Sequence, residues 1–120
     1  MTDKLPQRTE KPWGYEILFA RTSHYAGKVI FVKKGHRLSL QYHRKKDESL
    51  YLYQGEAKVE IEIAGRITSS TVRMGQSIHI PANTKHRLEA LQDTTFLEVS
   101  TPELEDVVRV EDDYGRAKPK

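Results

Sequence analysis

Glycine and proline punctuate the middle of this chain at intervals that suit strands: Gly14, Gly27, Gly35, Gly55, Gly65, Gly75 and Pro81 cut it into short pieces, few of them long enough for a stable helix. Within the pieces the side chains alternate. In Val59-Glu60-Ile61-Glu62-Ile63 apolar and acidic residues fall on opposite faces of a pleated strand, half-buried with one wet face. Ala64-Gly65 follows as a hairpin tip, because glycine accepts positive φ and 66–72 resumes with β-branched residues. Further strands are expected over 15–19, 28–32, 37–43, 50–54, 76–80, 86–91 and 95–100. Many short strands with close, even turn signals specify an all-β sandwich or barrel, the class that includes jelly rolls.

A length of 120 residues fits a single domain over 1–120. Its core barrel is expected over about 14–101, after a polar arm at 1–12. The tail, 102–120, is rich in Glu, Asp and Arg, with a short helical turn near 103–106, and is expected to pack on the barrel before fraying over 117–120. With 37% hydrophobic and 31% charged residues, a fold with many surface loops fits better than a large helical core. Twenty Lys and Arg against 17 Asp and Glu leave +3, with no dense basic block, which argues against nucleic acid as a partner. The mild excess still favours a small anionic ligand if a few cations converge on one pocket. Cysteine is absent, so disulfides and thiolate ligands are excluded and any metal sits on N and O donors. No stretch has the apolar length of a signal peptide or a bilayer span, so a soluble, cytoplasmic protein without a membrane partner is expected.

Four residues carry metal chemistry. Gln41 and His43 are two apart on an expected strand, so their side chains leave one face and can meet one ion. The hydrophilic run 44–47 suits a turn, after which Glu48 could return a carboxylate to the same end of the sheet. His86 lies far along the chain, behind the turn-forming Pro81-Ala82-Asn83-Thr84, and periodicity alone does not bring it near. Two imidazoles, a carboxylate and an amide oxygen suit a borderline divalent ion, Zn²⁺ first, with Mn²⁺, Fe²⁺, Co²⁺ or Ni²⁺ as alternatives.

The segment from Gly35 through Glu48 to Gly55 resembles the first cupin motif, G-x5-H-x-H-x3,4-E-x6-G, with Gln41 at the place of the first His. The segment Gly75 to Ala90 resembles the second, G-x5-P-x-G-x2-H-x3-N, matching Gly75, Pro81 and His86, with Asn83 for Gly and Ala90 for Asn. A narrower resemblance rests on Lys11-Pro12-Trp13-Gly14, Leu38-Ser39-Leu40-Gln41-Tyr42-His43, Ile80-Pro81-Ala82, His86-Arg87-Leu88-Glu89 and Asp112-Asp113-Tyr114-Gly115-Arg116. Together these are similar to the C-terminal cupin domain of type II mannose-6-phosphate isomerases, in which Gln in place of the first His is the usual pattern. Ser49-Leu50 stands for a frequent His-Trp, and Lys46 for an Arg. That domain is often fused to a mannose-1-phosphate guanylyltransferase, and the resemblance here is to a free-standing isomerase domain.

The resemblance implies a double-stranded β-helix (jelly-roll barrel) holding one divalent metal ion on Gln41, His43, Glu48 and His86. It implies interconversion of mannose 6-phosphate and fructose 6-phosphate through an enediolate, a species that an open metal ion stabilises. It assigns Arg87 to catalysis or to the phosphate, although Arg87 has the opposite strand parity to His86. Lys28 matches a recurrent family lysine and, with Lys46 and Arg87, is expected to bind the sugar phosphate. Spacing names no catalytic base. Arg109, Tyr114 and Arg116 match family positions, and anchoring of the tail explains them equally well. No function is assigned to His24, His36 or His79, while Trp13 and Tyr51 to Tyr53 are expected to pack the sheets. The competing functions are a non-catalytic sugar-binding cupin and an Fe(II)-dependent cupin oxygenase. A homodimer is expected, because unpaired sheet edges invite association.

Overall fold

In the computed structural model, which describes residues 4–117, the alternating segments pair into two antiparallel sheets and no residue is helical. The first sheet holds β1 (Gln7–Lys11), β2 (Gly14–Arg21), β3 (Ala26–Val32), β5 (Glu48–Gln54), β8 (Ser77–Ile80) and β10 (Thr94–Ser100), in the order β1-β2-β3-β10-β5-β8. The second holds β4 (Leu40–Tyr42), β6 (Glu56–Ile63), β7 (Arg66–Arg73), β9 (His86–Ala90) and β11 (Val108–Glu111), in the order β11-β4-β9-β6-β7. Strands distant in sequence are therefore neighbours, as β10 is to both β3 and β5, and this brings the two motifs together. Two facing sheets with such crossovers form the cupin jelly roll.

Period two decides what each strand buries. On β5, Glu48, Leu50 and Leu52 are buried while Tyr51 and Tyr53 are exposed; on β10, Thr94, Phe96, Glu98 and Ser100 are buried between exposed Leu97 and Val99. Apolar inward positions make the core, with Ile30, Val32, Leu50, Leu52, Val59, Ile80, Leu88 and Phe96 packed on one another and Trp13 among them. Glu48 and Glu98 share the inward parity of that core, so carboxylates enter the interior at one end of the sheet.

Turn chemistry sets the register. Ala64 and Gly65 both have positive φ, 52° and 78°, which gives the β6–β7 hairpin the handedness that paired strands favour. Gly55 closes the first motif at φ 101°, and a Cβ there would stand 2.4 Å from the Asp93 carbonyl oxygen, so no other residue fits. Asn83, at the motif position usually held by glycine, takes φ 59°.

Several expectations change. The polar arm contains a strand, β1, paired along its length with β2, and the tail contributes β11 to the second sheet, so the sheets extend beyond 14–101. The strand expected over 37–43 shortens to Leu40–Tyr42, because the run before it is held by separate backbone bonds such as Leu38 N–H to the Leu88 carbonyl. The helical turn expected near 103–106 is a non-helical turn, in which Asp106 N–H reaches the Glu103 carbonyl and the Asp106 side chain turns to another loop. Of the fraying expected over 117–120, residues 118–120 lie outside the described residues, as does the start of the arm at 1–3. Among the described residues no helix is long and apolar enough to cross a membrane.

Candidate metal centre and its cavity

His43, Glu48 and His86 each offer a ligand atom within 4.8 Å of the others, and all three are buried. They arrive by different routes. His43 follows β4 directly, Glu48 opens β5 after the 44–47 loop, and His86 opens β9. Gln41 is paired in register with His86 across β4 and β9, so their side chains share a face.

The outer nitrogens of both imidazoles are fixed by main-chain carbonyls. His43 Nδ1–H donates to the Asp106 carbonyl at 2.6 Å, and His86 Nδ1–H donates to the Thr84 carbonyl at 2.9 Å. In the neutral ring each Nε2 then carries a lone pair. Those lone pairs face Glu48 Oε2, 2.7 Å from His43 Nε2 and 3.8 Å from His86 Nε2. Neither His43 Nε2 nor Glu48 Oε2 has a hydrogen-bond partner, although both are buried. Electron pairs converging on one buried site call for a cation, so the residues present fit a metal ion. Gln41 Oε1 accepts the Ser39 hydroxyl at 2.6 Å, and an amide oxygen has a second lone pair to offer.

Electrostatics agree with a ligand set ready to bind. Burial alone would raise the Glu48 carboxyl, but His43, Lys46 and His86 outweigh it and hold it well below the ordinary carboxylate range. Burial pushes His86 down, which keeps the imidazole neutral. Lys46 sits 5% exposed in the 44–47 loop with its ammonium 3.2 Å from Glu98 and 4.0 Å from Glu48. Burial would lower its pKa, and the two carboxylates reverse this. Glu98 is pushed upward by burial and by Glu48.

These groups line one cavity of about 110 Å³, walled also by Trp13, Ile30, Leu50 and Leu88. Both sheets contribute to its polar side. Lys28 lies inward on β3 in register with Glu98 and pairs with Glu16 at 2.9 Å. Arg87 also borders the cavity, but its Nε–H donates to the Leu38 carbonyl and its NH2 to the Glu111 carbonyl, at 3.0 and 3.2 Å. Gln41, His43, Glu48 and His86 are thus brought together, and Lys28 and Lys46 reach the same cavity already engaged with carboxylates. The guanidinium of Arg87 is engaged with main chain.

Asp106 and Glu98 carry no motif signal and were missed by sequence reasoning. Asp106 orients His43 through its carbonyl and takes the N–H groups of Arg44, Lys45 and Lys46 on its carboxylate at 3.0, 2.6 and 2.9 Å. Only the alternation of β10 could have pointed to Glu98, since it puts a carboxylate two residues beyond Phe96 on the inner face. Of Arg109, Tyr114 and Arg116, Tyr114 anchors the tail to the barrel, its OH meeting His36 Nδ1 at 3.0 Å, whereas Arg116 bonds Asp112 within the tail; Arg37 also grips Asp113 at 2.6 and 2.9 Å.

Comparison with known proteins adds three findings. A family model described as mannose-6-phosphate isomerase C-terminal matches residues 2–112. Mannose-1-phosphate guanylyltransferase ManC of Salmonella typhimurium is 34% identical over 111 residues, covering 88% of this chain and 22% of that protein. The chain spans about a fifth to a quarter of the length of the curated relatives it matches. Among solved structures, KdgF from Halomonas sp. superposes with a TM-score of 0.74 at 20% identity, over 82% of this chain and 90% of its own. Bacillus subtilis oxalate decarboxylase, described for its Mn(II) centres, gives 0.75 at 20% identity over 87% of this chain and 30% of its own. At these identities the structural likenesses establish the cupin fold.

Proposed function

Given that the chain belongs to the mannose-6-phosphate isomerase C-terminal family, we propose that it is a metal-dependent sugar-phosphate isomerase interconverting mannose 6-phosphate and fructose 6-phosphate. The observation that carries this reading is the meeting of two imidazole lone pairs with a buried carboxylate in a cavity that cations also line. The names of the curated relatives, guanylyltransferases of mannose 1-phosphate, also attach them to mannose phosphates.

In this reading His43, Glu48, His86 and Gln41 hold one Zn²⁺, which when bound supplies a Lewis acid for the oxygens of the open-chain sugar. Moving a proton between C2 and C1 needs a group outside the ligand set. Glu98 supplies it, because its carboxylate is buried, lines the cavity and stands outside the ligand set. Glu98 takes the C2 proton on Oε2 and returns it at C1, the C2 hydroxyl proton passes to the C1 oxygen, and the Lys46 ammonium steadies the carboxylate from 3.2 Å. Arg87 acts as a positioning residue that holds β11 at the cavity. The apolar wall of Trp13, Ile30 and Leu88 excludes water from the proton's path.

A coupled assay of mannose 6-phosphate conversion tests this, run before chelation, after it and with zinc restored. Activity should follow the metal, and Glu98→Gln should keep its metal while losing about 100-fold or more in kcat. Absence of turnover in the zinc-loaded protein sinks the reading. The set of two histidines and one carboxylate also suits Fe²⁺, and oxygen uptake by the iron-loaded protein would favour an oxygenase instead. For the assembly, the proposed state is a homodimer, with the exposed Phe19, Tyr51, Tyr53, Leu97 and Val99 on the outer face of the first sheet covered by a second copy.

A further inference from the structure

The cations around the cavity are not alike. Lys28 pairs with Glu16, Lys46 with Glu98 and Arg116 with Asp112, while Arg87 is bonded to two main-chain carbonyls. The side chain of Arg109, on β11, makes no hydrogen bond and no ion pair among the described residues, and its Nε is buried without a partner. The nearby carboxylates are taken: Asp112 receives two guanidinium bonds from Arg116, both at 2.9 Å, and Glu16 receives the Lys28 ammonium at 2.9 Å. A guanidinium offers five donors in a planar fork, so leaving it unanswered in a half-buried cavity is unfavourable unless a ligand supplies the acceptors.

Its position relative to the metal centre is set by strand register. Arg109 faces Gln41 across β11 and β4, and Gln41 faces His86 across β4 and β9. Residues facing one another on adjacent strands share a side of the sheet, so Arg109, Gln41 and His86 form a row, and all three line the cavity. Two strand spacings of about 4.8 Å put the Arg109 backbone about 10 Å from that of His86. A six-carbon chain with its reacting end at the imidazoles and an anionic group at the other end spans such a row. Lys11, a cavity residue that also lacks an ion pair among the described residues, adds a second uncommitted positive charge. Arg116 nearby strengthens the local positive potential, since after burial it is the larger influence depressing the Arg109 pKa.

We infer that Arg109 is the anion anchor of this cavity and binds the phosphomonoester of the substrate through its guanidinium fork. Arginine suits that task because its paired N–H groups match two phosphate oxygens at once. The inference rests on the isomerase reading for the identity of the sugar, whereas the phosphate class follows from the unpaired guanidinium itself.

The test is calorimetric titration of the zinc-loaded protein with mannose 6-phosphate, inorganic phosphate and unphosphorylated mannose, for the wild type, Arg109→Ala, Arg109→Gln and Arg109→Lys. Circular dichroism melts and zinc content identify any variant that fails to fold, and Arg109→Gln keeps the volume if Arg109→Ala does not. Wild type should bind mannose 6-phosphate and phosphate far better than mannose. Loss of the guanidinium should weaken both anions about 10- to 100-fold while zinc content holds, with partial recovery in Arg109→Lys. Equal affinity in wild type and a folded Arg109→Gln overturns the inference, as does a wild type that binds neither anion. Arg109-dependent phosphate binding without turnover would sustain the anchor and sink the isomerase. Turnover with KM indifferent to Arg109 would do the reverse.

Discussion

Asp106 joins two tasks in one residue. Its carbonyl fixes the tautomer of His43 and its carboxylate gathers three backbone N–H groups of the loop that carries Lys46 toward the cavity. Asp106→Ala keeps that carbonyl but removes the carboxylate that fixes it beside the 44–47 loop, and should lower zinc affinity by about 10-fold, the lower end of the usual range for groups that orient a ligand, as measured by competition with a chromophoric chelator. The same residue predicts a pH effect. Burial would raise its carboxyl, but the three N–H groups together outweigh it and bring it from 3.8 down to about 2. Its pKa is thus depressed in the folded state, so its stabilisation is present above the unfolded value and is lost as pH falls from about 3.8 through about 2. In urea titrations of the metal-free protein, Asp106→Asn should lose less stability than wild type across that window. At this scale the ligands were legible because Gln41 and His43 sit two apart on one strand and Glu48 follows a single turn. Asp106 was not, since it acts across 63 residues of chain through atoms that no spacing rule describes.

Strands with one buried and one wet face announced themselves, as β5 and β6 did through alternation. β1 did not: its four leading residues are exposed and its composition, Gln-Arg-Thr-Glu-Lys, carries no apolar period, so only pairing with β2 makes it a strand. β11 does alternate, with Val108 and Val110 between Arg109 and Glu111, but it lies in a charged tail that reads as an appendage until β4 is there to pair with it. The clasp between these elements is Arg87, 5% exposed, which bonds the Leu38 carbonyl before β4 and the Glu111 carbonyl of β11. Arg87→Ala leaves those carbonyls without their donor and should destabilise the protein by about 2 kcal/mol in urea unfolding. Unchanged stability with a selective loss of kcat would instead assign Arg87 to the substrate.

For the whole molecule, the jelly roll gathers ligands from three strand ends into one buried site, where their lone pairs converge. A cation that binds only the folded chain stabilises it by mass action, by about 2.7 kcal/mol at 100 times its Kd. Zinc should accordingly raise Tm, and a chelator should reverse the shift. The outer face of the first sheet makes a separate prediction, that light scattering after gel filtration gives twice the 13.9 kDa chain mass and that Leu97→Lys with Tyr51→Lys returns it to the monomer. The class of fold was visible in turn spacing alone, whereas the closure that brings His86 to His43 follows from crossovers between strands distant in sequence.

The most direct test is the metal content of the zinc-loaded, desalted protein by inductively coupled plasma mass spectrometry, with Glu48→Gln and His86→Ala beside it and their folding checked by circular dichroism. Convergence of His43, Glu48 and His86 on one cation predicts close to one zinc per wild-type chain and little or none in either folded variant. A wild type that retains no zinc, or variants that retain as much as it does, would contradict it.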